Sequence, residues 1–203
     1  MKKVSVTEVL SLVQDFSDVP AHILEKAADR GKAVHKFIEL NLLPQNLDVW
    51  KVPDECIGYT KAWDQFFENL NEVFGKCELI SEKECVSSAL NLVGHPDLIV
   101  VPEQGESFVI DIKTTSVTRQ AAHELQVAAY WHLARCTFPS YAFSGDSDSG
   151  VLYLRKDGTY DFWRPWDEID SRGIVNSLNE FITILKTYRL KEAINVRNKS
   201  RSS

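Results

Sequence analysis

Val93–Tyr130, VGHPDLIVVPEQGESFVIDIKTTSVTRQAAHELQVAAY, carries two apolar runs, Leu98–Val101 and Phe108–Ile110, each touching an aspartate. Between them stand Pro102, Glu103, Gln104, Gly105 and Glu106, with the proline and glycine that a short loop needs. The stretch therefore reads as a β-hairpin turning about Gln104. That register sets Asp97 directly across from Asp111, where opposed Cβ atoms lie roughly 4.5–5.5 Å apart. Lys113 is two residues beyond Asp111, and strand alternation puts it on the same face.

Two carboxylates and an ammonium on one face of an apolar hairpin are costly to bury without a partner. Like charges this close drive one carboxyl to take up a proton. A hard divalent cation removes the conflict, because carboxylate oxygens are its preferred ligands. The alternative is an Asp–Lys salt bridge on a solvated strand face, the usual state of an isolated Asp-x-Lys.

Two helices frame this hairpin in the sequence. Pro20 opens one that runs to about Leu43 and is ended by Pro44, with a stripe of Ile23, Ala27, Val34, Phe37, Ile38 and Leu42. His35 and Glu39 are four apart and project together, Glu39 as the partner of a nearby base. Gly31, one turn earlier, lets another backbone come close. After the hairpin, Thr118 is placed to cap a helix running to about Arg135, on which His123, Gln126 and Tyr130 share a face. Read alone, His35 is an ordinary partly buried histidine and Tyr130 a core tyrosine with a satisfied hydroxyl.

Taken together, these residues resemble the PD-(D/E)XK nuclease superfamily. Gly94-His95-Pro96-Asp97 followed by Asp111-Ile112-Lys113 is similar to its signature. Gln126-Val127-Ala128-Ala129-Tyr130 resembles the Gln-x-x-x-Tyr motif of its RecB-like branch, in which Asp-x-Lys-Thr is the usual second motif and Thr114 follows Lys113. Arg30–Glu39 resembles that branch's helical motif with a metal-binding histidine. The motifs occur in the family's order, across roughly residues 28 to 135. The resemblance implies an α/β fold with a restriction-endonuclease-like core, a central mixed β-sheet flanked by α-helices. It implies hydrolysis of DNA phosphodiester bonds with Mg²⁺ or Mn²⁺, one or two ions, held by His35, Asp97, Asp111 and the backbone carbonyl of Ile112. Asp97, Asp111 and Lys113 would be catalytic. Gln126 and Tyr130 would hold the scissile phosphate or order Lys113. A nitrogen ligand makes Mn²⁺ a better fit than in an all-oxygen site. An exonuclease acting on single- or double-stranded ends in recombination, repair or phage replication, with partner proteins of those processes, is the first expectation. The alternatives are a structure-specific or restriction-type endonuclease, or a DNA-binding scaffold whose site has decayed.

Composition bounds these readings. The 203 residues suffice for one domain, spanning residues 1–203. No apolar run reaches the roughly 20 residues of a membrane span and no secretory leader is evident, so an intracellular protein is expected, in the cytoplasm, an organelle or a host cell. Cys56, Cys77, Cys85 and Cys136 lack C-x-x-C spacing, which suggests free thiols and no zinc site. Some RecB-like nucleases hold an iron–sulfur cluster through late cysteines; none follows Cys136, so no cluster is expected. A net charge of −6 argues mildly against a nucleic-acid partner, although the location of charge matters more than its sum. From Lys186 to Arg201 there are six Lys or Arg against one Glu, a basic tail about 186–203 that is either a frayed end or a DNA contact. The phosphate-binding G-x-x-x-x-G-K-[ST] motif is absent, which leaves any unwinding to a partner.

The remaining segments are expected as scaffold. Residues 4–16 suggest a short helix carrying Val9, Leu10, Leu12, Val13 and Phe16. Thr60–Phe74 is an amphipathic helix with Trp63, Phe66, Phe67, Leu70 and Val73 inward and Gly75 as its stop. Glu78–Val86 reads as a strand whose Glu82 and Glu84 face outward, with Glu84 the candidate to reach a metal. Phe138–Gly150 is a loop, mobile over Ser144–Ser149; its aspartates lack the terminal glutamate of an EF-hand. Val151–Arg155 and Thr159–Trp163 form a hairpin about Lys156-Asp157-Gly158. Ile174–Leu190 is a closing helix.

Overall fold

The computed structural model describes residues 3–42, 51–144, 148–167 and 173–201. The expected break at Pro44, the tip of the Ser/Asp/Gly-rich loop at 145–147 and the end of the tail at 202–203 lie outside the described residues. In chain order the elements are β1 (Val4–Ser5), α1 (Val6–Leu10), α2 (Ala21–Leu42), α3 (Ile57–Phe74), β2 (Cys77–Ser81), β3 (Cys85–Ser87), β4 (Leu92–Gly94), β5 (Leu98–Pro102), β6 (Phe108–Lys113), α4 (Ala121–Thr137), β7 (Gly150–Leu154), β8 (Tyr160–Trp163) and α5 (Gly173–Arg201).

The central sheet has the order β2-β5-β6-β7-β8. It is mixed: β6 and β7 run parallel, and every other neighbouring pair is antiparallel. Parallel neighbours need a long crossover, and α4 supplies it. A smaller sheet, β1-β4-β3, stands beside it. The hairpin register is centred on Gln104 as the sequence predicts: Leu98 pairs with Ile110, Ile99 with Val109 and Val100 with Phe108.

Alternation along β5 and β6 divides the core into two layers. Leu98, Val100, Phe108, Ile110 and Ile112 pack against α2 and α3, with Trp63, Phe66 and Leu70. Ile99 and Val109 face α4 and α5, against Ala128, Tyr130, Leu133 and Phe181. Because both faces are covered, the strands read as continuous apolar runs rather than alternating ones. Fully burying a side chain such as Ile110 contributes about 2 kcal/mol. Asp111 and Lys113 share the parity of Val109, so the sheet aims both toward α4. The chain has the mixed α/β architecture of the restriction-endonuclease-like fold.

Several expected boundaries move. The first helix is only Val6–Leu10: a reciprocal capping box starts it, Glu8 N–H to Ser5 Oγ at 3.1 Å and Ser5 N–H to Glu8 Oε2 at 2.7 Å, and beyond Leu10 the Leu12 and Val13 N–H groups bond in turns to the carbonyls of Val9 and Leu10. Val13 and Phe16 beyond it are exposed, as is Val73 on α3. Thr118 does not cap α4; Gln120 occupies the cap position with no side-chain bond. The strand expected over Glu78–Val86 is two strands, broken at Glu82, whose φ is +50°. Within the loop expected to be mobile, Ser149 is fully buried and its Oγ accepts the Val109 N–H at 3.0 Å. The closing helix continues through the basic segment to Arg201 rather than stopping near Leu190. Among the described residues no helix is long and apolar enough to cross a membrane.

Candidate active site

The hairpin delivers its charged groups to one end of the sheet. Asp97 precedes β5, and its Oδ2 accepts the Ile112 N–H at 2.6 Å, which pins the carboxylate beside β6. Asp111 is fully buried. Lys113 Nζ donates to Asp111 Oδ1 at 3.0 Å and lies 2.8 Å from Oδ2, where the angle does not make a hydrogen bond. Lys113 also donates to Gln126 Oε1 at 3.1 Å, and Gln126 Nε2 donates to the Tyr130 hydroxyl at 3.2 Å. The four-residue helical spacing of Gln126 and Tyr130 thus becomes a chain of bonds behind Lys113. Gly94 makes room for it, since a Cβ there would lie 2.8 Å from the Tyr130 ring.

From the other side α2 brings in His35. Its Nε2 lies 3.0 Å from the Ile112 carbonyl oxygen. Its Nδ1 lies 3.4 Å from Asp97 Oδ1 and 3.5 Å from Glu82 Oε1. His35, Glu82 and Asp97 each offer a ligand atom, all within 4.8 Å of one another. Glu82 reaches this point because its left-handed backbone turns the chain out of β2 at the edge of the sheet. Glu84, the expected candidate, is not among these ligand atoms, although both glutamates are exposed. A glutamate at the end of a strand, followed by two more charged residues, was the only sequence signal for Glu82.

The electrostatics are those of a cation site. Burial opposes an imidazolium at His35, yet the Asp97 and Glu82 carboxylates raise it to about 11. Burial likewise opposes the Asp97 carboxylate, but His35, Lys113 and the Ile112 N–H outweigh it and hold Asp97 below the usual range. Asp111 goes the other way: burial pushes it up to about 6 despite Lys113, with Asp97 adding repulsion. Lys113 is raised by the two aspartates against its burial. Asp111 Oδ2 is buried without a hydrogen-bond partner. Three converging ligand atoms from His35, Glu82 and Asp97, with the ion-paired Asp111 nearby, suit a divalent cation, whose preferred donors are carboxylate and carbonyl oxygens with imidazole tolerated.

His123 shares the α4 face expected for it but not the surroundings. It is buried, neither exposed nor on the cavity, and its Nδ1 lies 2.9 Å from the Tyr153 hydroxyl. That hydroxyl accepts the Arg119 N–H at 2.7 Å, so its own proton goes to His123. Burial and the Lys113 charge lower His123 to about 4, and burial pushes Tyr153 up to about 12. Burial raises the Tyr130 hydroxyl well beyond the ordinary tyrosine range. Glu39 pairs with a nearby base, Lys36, at 2.9 Å. A cavity of about 700 Å³ opens in front of the site, walled by α2 from Ala27 to Glu39 and by Ile112, Lys113, Thr114 and Thr115.

The sequence pattern of the PD-(D/E)XK nuclease superfamily matches residues 8–194. No curated protein matches the chain. Among solved structures the chain is similar to one described as "Crystal structure of SSO0001", at 16% identity over 90% of this chain and 76% of that one, with a TM-score of 0.36. With its motifs in order and the match running nearly end to end, the chain belongs to the PD-(D/E)XK nuclease superfamily.

Proposed function

We propose that the chain is a metal-dependent DNA exonuclease of the RecB-like branch, acting at DNA ends in recombination, repair or phage replication. One observation carries this reading: Lys113 is held at once by Asp111 and by Gln126, the first residue of the Gln-x-x-x-Tyr motif. The chain as a whole forms the nuclease unit. His35, Asp97, Asp111 and the Ile112 carbonyl hold Mg²⁺ or Mn²⁺, with Glu82 beside them. When bound, that ion acidifies water and neutralises charge on the phosphate.

The protein's own groups do the rest. Asp97 and Asp111 set the negative field that selects a dication over a monovalent ion. Lys113 faces the cavity and donates to a nonbridging phosphate oxygen, where charge grows in the pentavalent transition state. Gln126 and Tyr130 support it from behind, because both are buried and neither lines the cavity. Tyr130 keeps its proton as a donor. Digestion of end-labelled single- and double-stranded DNA, and of a closed circle, with Mg²⁺, Mn²⁺ or chelator tests the reading. Shortening from an end, dependent on the metal and sparing the circle, is expected. Nicking of the circle would make the protein an endonuclease, and no cleavage under any condition would defeat the proposal.

A further inference from the structure

The cavity in front of Lys113 does not end there. A second, of about 270 Å³, shares Thr114 and Thr115 with it as walls and extends to Arg155 and Lys156. Arg30 stands at the join. It lines the first cavity, its Nε lies 3.4 Å from Thr114 Oγ1, and its guanidinium sits 5.5 Å from the ring centroid of Tyr59, which lines the second. Among the described residues no carboxylate pairs with Arg30.

The walls carry the opposite balance to the chain. Arg30, Lys32, Lys36 and Lys113 line the first cavity against Glu39 and Glu82; Lys32 pairs with Asp29, Lys36 with Glu39 and Lys113 with Asp111, so Arg30 is the cation there that no carboxylate holds among the described residues. Arg155 and Lys156 line the second against Asp157, whose Oδ1 is used by the Thr159 N–H and hydroxyl, and Arg155 also lies 3.8 Å from Asp161 Oδ2. Cations gathered along a continuous groove of an acidic protein are the footprint of a polyanion.

Gly31 adds an independent observation. It lies inside α2, where glycine weakens a helix relative to alanine. The protein has no steric need for it: a Cβ would meet nothing nearer than Thr114 Oγ1 at 4.0 Å. Its open side faces the first cavity, so the reason for a missing side chain lies in what passes over it.

Resting on the nuclease reading, we infer that a polynucleotide strand runs the length of this double groove. Its backbone crosses α2 at Gly31, the phosphate next to the scissile one sits on Arg30, and a further phosphate lies between Arg155 and Lys156. Anisotropy titrations of the full chain with a fluorescein-labelled single-stranded oligonucleotide, in chelator and over a range of salt, test this. Arg155→Gln with Lys156→Gln is expected to flatten the dependence of log K on log salt by about 0.7, the value for one phosphate contact on a single strand. Lys76→Gln, before β2 and at the far end of that strand from Glu82, leaves the slope unchanged. Gly31→Ala is expected to melt no lower than wild type yet bind on the order of tenfold more weakly. A double variant with the wild-type slope, or Gly31→Ala with wild-type affinity, overturns the groove. A wild-type protein that neither binds DNA nor cuts it with Mg²⁺ or Mn²⁺ overturns the nuclease reading as well; one that cuts DNA while these variants bind normally overturns the groove alone.

Discussion

Gln126 Oε1 accepts a hydrogen bond from Lys113 Nζ at 3.1 Å, so a residue of α4 holds the ammonium that β6 presents. Strand and helix are thereby locked at the point where the chemistry is proposed. Gln126→Ala removes the support but leaves the Asp111 pair. We expect kcat to fall about 10–100-fold, the usual cost of losing a supporting partner, with KM little changed. Steady-state kinetics on an end-labelled oligonucleotide check this, and an equal loss in KM alone would contradict it.

Asp111 is buried, and the Lys113 ammonium, 3.0 Å from one of its oxygens and 2.8 Å from the other, offsets its charge before any metal arrives. Wild type is expected to melt higher in Mn²⁺ than in chelator, by about 2.7 kcal/mol of stabilisation at a hundred times Kd. Asp111→Asn keeps the shape and removes the charge. It leaves the half-buried Lys113 ammonium without its charged partner, so it should melt lower than wild type in chelator, show no shift with Mn²⁺, and lose cleavage by about a thousandfold or more, as should Asp97→Ala and Lys113→Ala. Differential scanning calorimetry and a cleavage assay read both effects. A full Mn²⁺ shift in Asp111→Asn would remove Asp111 from the ligand set.

Glu82 and Glu84 are two residues apart, but only Glu82 is turned toward His35. Glu82→Gln should weaken Mn²⁺ binding by about tenfold or more, and Glu84→Gln should not change it. Glu82→Gly should lose the same affinity while gaining back about 1 kcal/mol of backbone strain, since its φ of +50° suits glycine. Isothermal titration and urea unfolding measure the two quantities separately. Equal effects from Glu82→Gln and Glu84→Gln would exclude the assignment.

His123 is buried and neutral, lowered from an ordinary value near 6.5 to about 4. A histidine depressed in the folded state is protonated first in the unfolded chain, so its contribution is complete above pH 6.5 and is lost as pH falls toward 4. Between pH 7 and pH 5 the loss is about 2 kcal/mol. Urea unfolding of wild type and His123→Gln at both pH values isolates it from the acidic residues. The gap between the two proteins should narrow by that amount at pH 5, and a constant gap would refute the buried neutral histidine.

Much of the fold was legible because it follows from local period and turn length. Gln104 at the centre of a short polar loop leaves one register for Leu98–Val101 against Phe108–Ile110, and a one-residue slip would turn Asp111 toward α3. The Lys156-Asp157-Gly158 turn is equally explicit, with φ +89° at Gly158. The ends of elements were misread. The first helix starts at the Ser5–Glu8 capping box and stops at Leu10, and Gln120 rather than Thr118 stands at the start of α4. The basic segment continues α5, where Arg189 reaches back to the carbonyls of Leu90 and Asn91, distant in sequence.

The sequence by itself determined the pairing within the hairpins about Gln104 and Lys156-Asp157-Gly158, the common face of Asp97, Asp111 and Lys113, and the spacing that unites Gln126 with Tyr130, because each is set by turn length or by the two-residue or four-residue repeat of a regular backbone. Only the tertiary structure decided that Glu82 joins His35, that His123 withdraws to Tyr153, and that Arg30 stands between two cavities. Those outcomes depend on where one element ends against another, and no periodicity within a segment encodes the distance to a residue folded in from elsewhere.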